Sequence, residues 1–185
     1  MSFKQQDSSF PMKMYRFIAT IVGLLALPFQ SSCGVRSPSP VVINEVMPSN
    51  KTTCGDEFNE RDDWIELYNK GSQAVDLGGY AMTDDTASPR KSVLPDGVVI
   101  EAQSVLLFWA DKTLDQGKTH LSFKLSATLG EEVVLYDPDG KLVDQYRWSK
   151  AYPDISFARL PDGSGNFADC LTPTCGKLNG NHCGN

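Results

Sequence analysis

The rhythm of the apolar residues limits what this chain can fold into more than any other feature. After Cys33 no stretch keeps the 3.6-residue apolar period of a helix, and short β-branched and aromatic runs recur between turn signals instead. The runs are Val41 to Met47, Asp63 to Asn69, Gly79 to Thr83, Gly97 to Ile100, Ser104 to Ala110, His120 to Leu125, Glu132 to Tyr136, Leu142 to Trp148 and Ser156 to Leu160. Between them stand Gly71, Gly78-Gly79, Pro95-Asp96-Gly97, Asp137-Pro138-Asp139-Gly140 and Pro161-Asp162-Gly163. Proline presets φ at the first central position of a turn, and glycine supplies positive φ at its end. Eight or nine short strands at this spacing predict an all-β sandwich or barrel. In Asp63 to Asn69 the alternation is clean: Ile65 and Leu67 should face the core, with Trp64, Glu66 and Tyr68 on the other side and Trp64 over a sandwich edge. Val41 to Met47 alternates only roughly, with Val41, Ile43 and Met47 as its apolar set. Residues 161–185 lack a strand pattern and would fray without a covalent tie.

The first 32 residues stand apart. Lys4, Lys13 and Arg16 precede an apolar run from Phe17 to Phe29, too short to span a bilayer as a helix, which needs about 20 residues. A basic start, a short apolar run and small residues after it describe a secretory signal over residues 1–32. The run ends in Gln30-Ser31-Ser32-Cys33-Gly34, which resembles a lipobox and makes Cys33 the expected lipidation site; Gln30 departs from the aliphatic residue usual there. Residues 33–40 then form a lipid-anchored tether, and 41–185 the folded domain. This implies a membrane association through the lipid and a place in the cell envelope, periplasmic or at the surface, or otherwise simple secretion. Without residues 1–32 the chain keeps 14 basic and 22 acidic residues, a formal charge of −8. Such a surface repels phosphate backbones and argues against nucleic-acid binding.

Five cysteines are present, Cys33, Cys54, Cys170, Cys175 and Cys183. Lipidation of Cys33 leaves four, which allow three disulfide connectivities. In each of them Cys54 pairs with a cysteine of the C-terminal tail, since the other three all lie there. The rival is a zinc site in Cys170-x4-Cys175-x6-His182-Cys183, whose spacing is loose and whose compartment would be oxidising.

Ile43-Asn44-Glu45-Val46, Asp63 to Asn69 (DWIELYN) and Asp76 to Asp84 (DLGGYAMTD) together resemble the opening of bacterial lamin tail domains. Gly130 to Tyr136, continuing through Gly140 to Trp148, resembles the hairpin of that family. Ser156 to Gly163 with Thr172-Pro173-Thr174 resembles its closing motif, with Cys175 where a proline is common. The resemblance covers residues 41–179 and implies an immunoglobulin-like β-sandwich. It implies little about activity, because members occur alone on surface proteins, beside nucleases or phosphatases, and at the end of nuclear lamins. A chain of this kind is expected to act by binding, as a monomer, on an envelope protein or a glycan.

Nothing in the sequence spells out catalysis. There is no G-x-x-x-x-G-K-[ST] loop and no H-E-x-x-H, and Gly163-Ser164-Gly165 is a turn rather than a nucleophile elbow. Asp63 and Glu66 could serve as paired carboxylates for a hydrolase, but their odd spacing puts them on opposite strand faces. The chain is therefore read as no enzyme. Glu45, Asp62, Asp63, Glu66, Asp84 and Asp85 are candidate ligands for Ca2+, a cation that takes six to eight hard oxygens, which would make the domain a calcium-dependent adhesion or carbohydrate-binding module. The bland reading gives acidic side chains such as Glu45, Asp63 and Glu66, with Asn69, to hydrogen bonds on loop backbone. Tyr146, Trp148 and Tyr152 are the expected exposed aromatics for a sugar or a protein partner.

Overall fold

The computed structural model describes residues 1–2, 38–128, 130–180 and 182–183. The expected signal segment beyond residues 1–2, Cys33 and residues 34–37 of the expected tether lie outside the described residues. Among the described residues twelve strands occur in order: β1 (Val41–Met47), β2 (Asp63–Asn69), β3 (Val75–Asp76), β4 (Ala81–Thr83), β5 (Ser92–Val93), β6 (Val99–Ile100), β7 (Val105–Ala110), β8 (His120–Leu121), β9 (Glu131–Tyr136), β10 (Leu142–Trp148), β11 (Ser156–Leu160) and β12 (Asn166–Cys170). Among the described residues there is no helix, hence none long and apolar enough to cross a membrane.

The strands form a six-stranded sheet in the order β12-β11-β1-β2-β7-β8, a four-stranded sheet β10-β9-β4-β5, and a small β3-β6 pair. Pairing is antiparallel except for β7 with β8. One hydrophobic core fills the space between the sheets. Val41, Ile43, Val46, Ile65, Leu67, Phe108 and Ala110 come from the six-stranded sheet, and Met82, Val133 and Leu135 from the four-stranded sheet. The expected inward pair Ile65 and Leu67 is in that core, and the fold is the expected immunoglobulin-like sandwich.

The rough alternation of β1 has a structural cause. Ile43 faces Leu67 across the β1–β2 ladder, Glu45 faces Glu66, Val46 faces Ile65 and Met47 faces Trp64, so a bulge lies between Ile43 and Glu45. The extra residue flips the side-chain parity of the rest of the strand. Val46 therefore joins Val41 and Ile43 in the core, while Met47 turns to the outer face of the sheet. There Met47, Trp64 and Trp109 form a second buried cluster. Trp64 thus does not cover a sandwich edge; it is wholly buried under other chain.

Three strands exceed the sequence expectation: β3, β5 and β12. The first two have two residues each, too short for an alternation to register. β12 lies in the tail, where Asn166-Phe167-Ala168-Asp169-Cys170 pairs along its length with β11. Its side chains are mostly polar or exposed because it is the edge strand of the sheet, with little to bury. The Asp137–Gly140 turn closes the β9–β10 hairpin as expected: Gly140 adopts φ of 78°, and Asp137 Oδ1 accepts from the backbone of Asp139 and Lys141.

One ion pair ties the two sheets at an edge. Asp144 of β10 accepts from the Ile43 amide at 2.9 Å and from Arg159 Nη2 of β11 at 2.8 Å. Arg159 also donates to the carbonyls of Ile43 and Gly165 and stacks over Phe167. Replacing Arg159 leaves Asp144 with a poorly solvated charge and frees two carbonyls. Arg159→Ala is expected to lower the unfolding free energy by about 2–3 kcal/mol, read by urea denaturation. A loss below about 0.5 kcal/mol would show the pair to behave as an ordinary surface salt bridge.

Candidate functional site

Two polar centres lie off the apolar core. The first is on the outer face of the six-stranded sheet, under the tail. The β1 bulge places Asn44 and Glu45 beside Glu66 there, and all three are fully buried. Cys54–Cys175 and Cys170–Cys183 are disulfides, the first spanning 121 residues of chain. The expected tie from Cys54 to the tail is present, and the rival zinc reading of the tail falls, because bonded sulfurs are not free to ligate. The Cys54–Cys175 bond packs against Met47, Trp64 and Trp109.

The stapled tail then runs over the carboxylates and is hydrogen-bonded by them. Glu45 accepts from the Ser156 hydroxyl and from the Thr174 amide at 3.2 Å. Glu66 accepts from Asn44 Nδ2 at 3.1 Å and from the Gly176 amide at 2.9 Å. Asn44 Nδ2 also donates to Asp162, which in turn accepts from the amides of Asn179 and Gly180. Asn179, wholly buried, donates to the carbonyls of Asn44 and Arg159.

Burial raises the pKa of Glu45, against the hydrogen bonds from Ser156 and Thr174. Burial likewise pushes Glu66 up to about 8. The hydrogen count agrees with a proton on Glu45. Thr174 Oγ1 lies 2.5 Å from Glu45 Oε2 and 3.1 Å from Asn179 Oδ1, yet a hydroxyl carries one hydrogen. With Glu45 protonated, its O–H donates to Thr174, and Thr174 donates on to Asn179. These carboxyls are latched to backbone and closed to solvent, so they could meet a substrate only if the tail left.

The second centre is at the far edge of the same sheet. Asp111 follows β7, and a turn brings the chain back at His120, where β8 pairs parallel to β7. His120 Nδ1 is 2.5 Å from Asp111 Oδ2, and both side chains are buried. His120 Nε2 is 3.4 Å from Glu57 Oε1, in the polar loop after β1. Burial opposes the charged imidazole, but the Asp111 and Glu57 carboxylates outweigh it and raise the His120 pKa. In the loop, Asp56 Oδ1 accepts from the amides of Phe58 and Glu60. Gly117 permits the closure, since a Cβ there would sit 3.3 Å from both Glu57 Oε1 and His120 Cδ2.

The six acidic residues expected as calcium ligands are dispersed. Glu45 and Glu66 hold the tail. Asp63 caps the Asn50 amide at 3.1 Å, and burial pushes its pKa up to about 6. Asp84 pairs with Lys91 at 2.6 Å, and Asp85 accepts from the Ala87 amide within its own turn. Asp62 alone lies with other carboxylates, Asp56 and Glu60, at distances one cation could bridge. Asn69 is wholly engaged, donating to Gln73, Ile100 and Glu101 carbonyls and accepting from Gly71. Asp63 and Glu66 point to opposite faces as their spacing requires.

The expected exposed aromatics need correction. Trp148 is buried and donates to the Ser126 carbonyl, and Tyr146 stacks between Trp148 and Phe167. Both serve packing, because β10 turns these side chains toward Phe157 and Phe167. Tyr152 is 54% exposed, with Lys150 over its ring. One open cleft of about 400 Å³ is lined by Ser92, Val93, Leu94, Leu114, Lys118 and His120, without a carboxylate.

Asn44, Asp111, Asp162 and Asn179 are the residues that sequence reasoning missed. Asp162 stands in a turn signal and Asn44 within the first strand motif, but their partners are more than 100 residues away or unmarked by any spacing. No curated protein matches the chain. The lamin tail domain family matches residues 35–150, which reach from before β1 to just past β10. β11, β12 and the stapled tail lie beyond that match, although β11 pairs directly with β1. With the family matched over well more than half of its length and the sandwich in place, this chain belongs to the lamin tail domain family.

Proposed function

We propose that the protein is a lipid-anchored, non-catalytic binding or scaffolding module of the cell envelope. The observation that carries the reading is the stapled outer face. A domain whose tail is covalently tied back by Cys54–Cys175 and Cys170–Cys183 suits an oxidising compartment, where such bonds form and persist. The same tail covers the buried carboxyls, so the sandwich presents loops and edges rather than a reactive cleft. Its family supports binding over catalysis. The lipid reading rests on the sequence Ser31-Ser32-Cys33-Gly34 after the apolar run, and the tether of residues 33–40 would set the domain just off the membrane surface. Acyl chains stabilise membrane attachment by about 0.8 kcal/mol per buried CH2, so two or three hold a protein stably.

Membrane fractionation tests it. The wild-type protein is expected in the membrane pellet, extractable with detergent, and Cys33→Ala in the soluble fraction. Identical partition of the two would remove the lipid anchor from this reading. The partner expected on the exposed loops, near Tyr152 and Lys150, is an envelope protein or a glycan.

A further inference from the structure

The Asp111–His120 centre contains oxygens that the fold leaves unanswered. Asp56 Oδ1 has two amide donors, but Asp56 Oδ2 is closed to water and has no hydrogen-bond partner. Gln116 Oε1, on the turn leading into β8, is in the same condition, while its Nε2 donates to Glu60. An acceptor buried without a donor costs about 1–3 kcal/mol, and more when charged. Among the described residues no lysine or arginine forms an ion pair with Asp56 or Asp111. The His120 ring cannot answer both carboxylates, since each ring nitrogen carries at most one hydrogen and Nε2 faces Glu57.

We propose that Asp56, Asp111 and His120 form a binding site for a divalent first-row transition metal, with Zn2+ the best fit. Each offers one ligand atom, and these atoms lie within 4.8 Å of one another. One imidazole with two carboxylates is a donor set for zinc and its neighbours, whereas Ca2+ takes oxygen ligands alone. His120 Nδ1 faces Asp111 and is the metal-facing nitrogen. Nε2–H then donates to Glu57 Oε1, the outer carboxylate that commonly orients a ligating histidine. A water supplies the remaining position. Two ligands on a tetrahedral Zn2+ stand about 3.3 Å apart. The 2.5 Å between Nδ1 and Asp111 Oδ2 therefore opens slightly when metal replaces the proton held between them. The loop after β1 would thereby be fastened to the β7–β8 edge at Asp56, two residues beyond Cys54, where the disulfide fastens it to the tail.

Calorimetric titration of the disulfide-bonded protein from Cys33 onward with ZnCl2 tests the site, using a purification tag without histidines. One equivalent is expected to bind with a micromolar or tighter Kd and to raise Tm, and Co2+ in its place to give a visible d–d band. His120→Gln and Asp56→Asn should each weaken binding about tenfold or more and abolish the band. His182→Ala, which removes the other histidine, should change neither. Asp56 is a partly exposed loop residue, and its asparagine variant keeps Oδ1 for the two amides, so it is the variant to read if His120→Gln fails to fold. Absence of binding, undiminished binding in Asp56→Asn, loss in His182→Ala, or a response to Ca2+ without one to Zn2+ would each overturn the proposal.

Discussion

Removing the Cys54–Cys175 bond by the double change Cys54→Ser and Cys175→Ser is expected to lower the unfolding free energy by about 5 kcal/mol. The bond closes a loop of 121 residues, and the chain-entropy model scales with the logarithm of that length. The same model gives about 3 kcal/mol for Cys170–Cys183, whose residues are separated by 13, so the two double variants should rank in that order. The larger loss has a local component too. Both sulfurs pack against Met47, Trp64 and Trp109, and the tail they anchor covers Glu45 and Glu66. Denaturation midpoints under non-reducing conditions measure the ranking, and amide exchange at Thr174 and Gly176 shows whether the tail opens first. A difference under about 1 kcal/mol between wild type and the Cys54–Cys175 variant would mean that the buried polar layer holds the tail unaided.

The second large effect is on pH. Glu66 has a folded-state pKa of about 8 against an ordinary 4.5, and Glu45 is raised as well. A carboxyl whose folded pKa lies above its unfolded value binds more protons in the native state. Its stabilising contribution is complete below the unfolded pKa and is lost as pH rises through the folded one. For Glu66 that window runs from about pH 4.5 to 8, and the loss across it is on the order of 4 kcal/mol. Asp63, raised to about 6, adds in the same direction over a narrower window. Stability should therefore be greatest in mild acid and fall toward alkaline pH, the reverse of the usual carboxylate pattern. Glu66→Gln removes the titrating group but sets an amide N–H2 against either Asn44 or the Gly176 amide. It should cost about 1 kcal/mol at pH 5 and be more stable than wild type at pH 9. Parallel stability curves for the two proteins from pH 5 to 9 would show that Glu66 is ionised in the native state.

Glu66 also marks the limit of sequence reading. The clean alternation of Asp63–Asn69 put Ile65 and Leu67 in the core and Glu66 on the other face, both correctly. It could not tell that this other face is buried as well, since the cover comes from residues 174–180. A period of two states which residues share a face, not what lies over that face. β1 shows the same limit. Its irregular pattern marked a strand, but the bulge that moves Val46 inward and Met47 outward arises from its pairing with β2, which no local pattern encodes.

What the residues settled alone was whatever depends on local chain chemistry or on counting. Short alternating runs and Pro-Asp-Gly turns required an all-β sandwich or barrel, and with Cys33 set aside, four cysteines with three in the tail required Cys54 to reach across the chain. Tertiary structure decided the rest. Which tail cysteine takes Cys54, the polar layer of Asn44, Glu45, Glu66 and Asn179, and the meeting of Asp56 with Asp111 and His120 all join positions far apart in sequence. Such contacts depend on register and on how the sheets close, and neighbouring residues carry no trace of either.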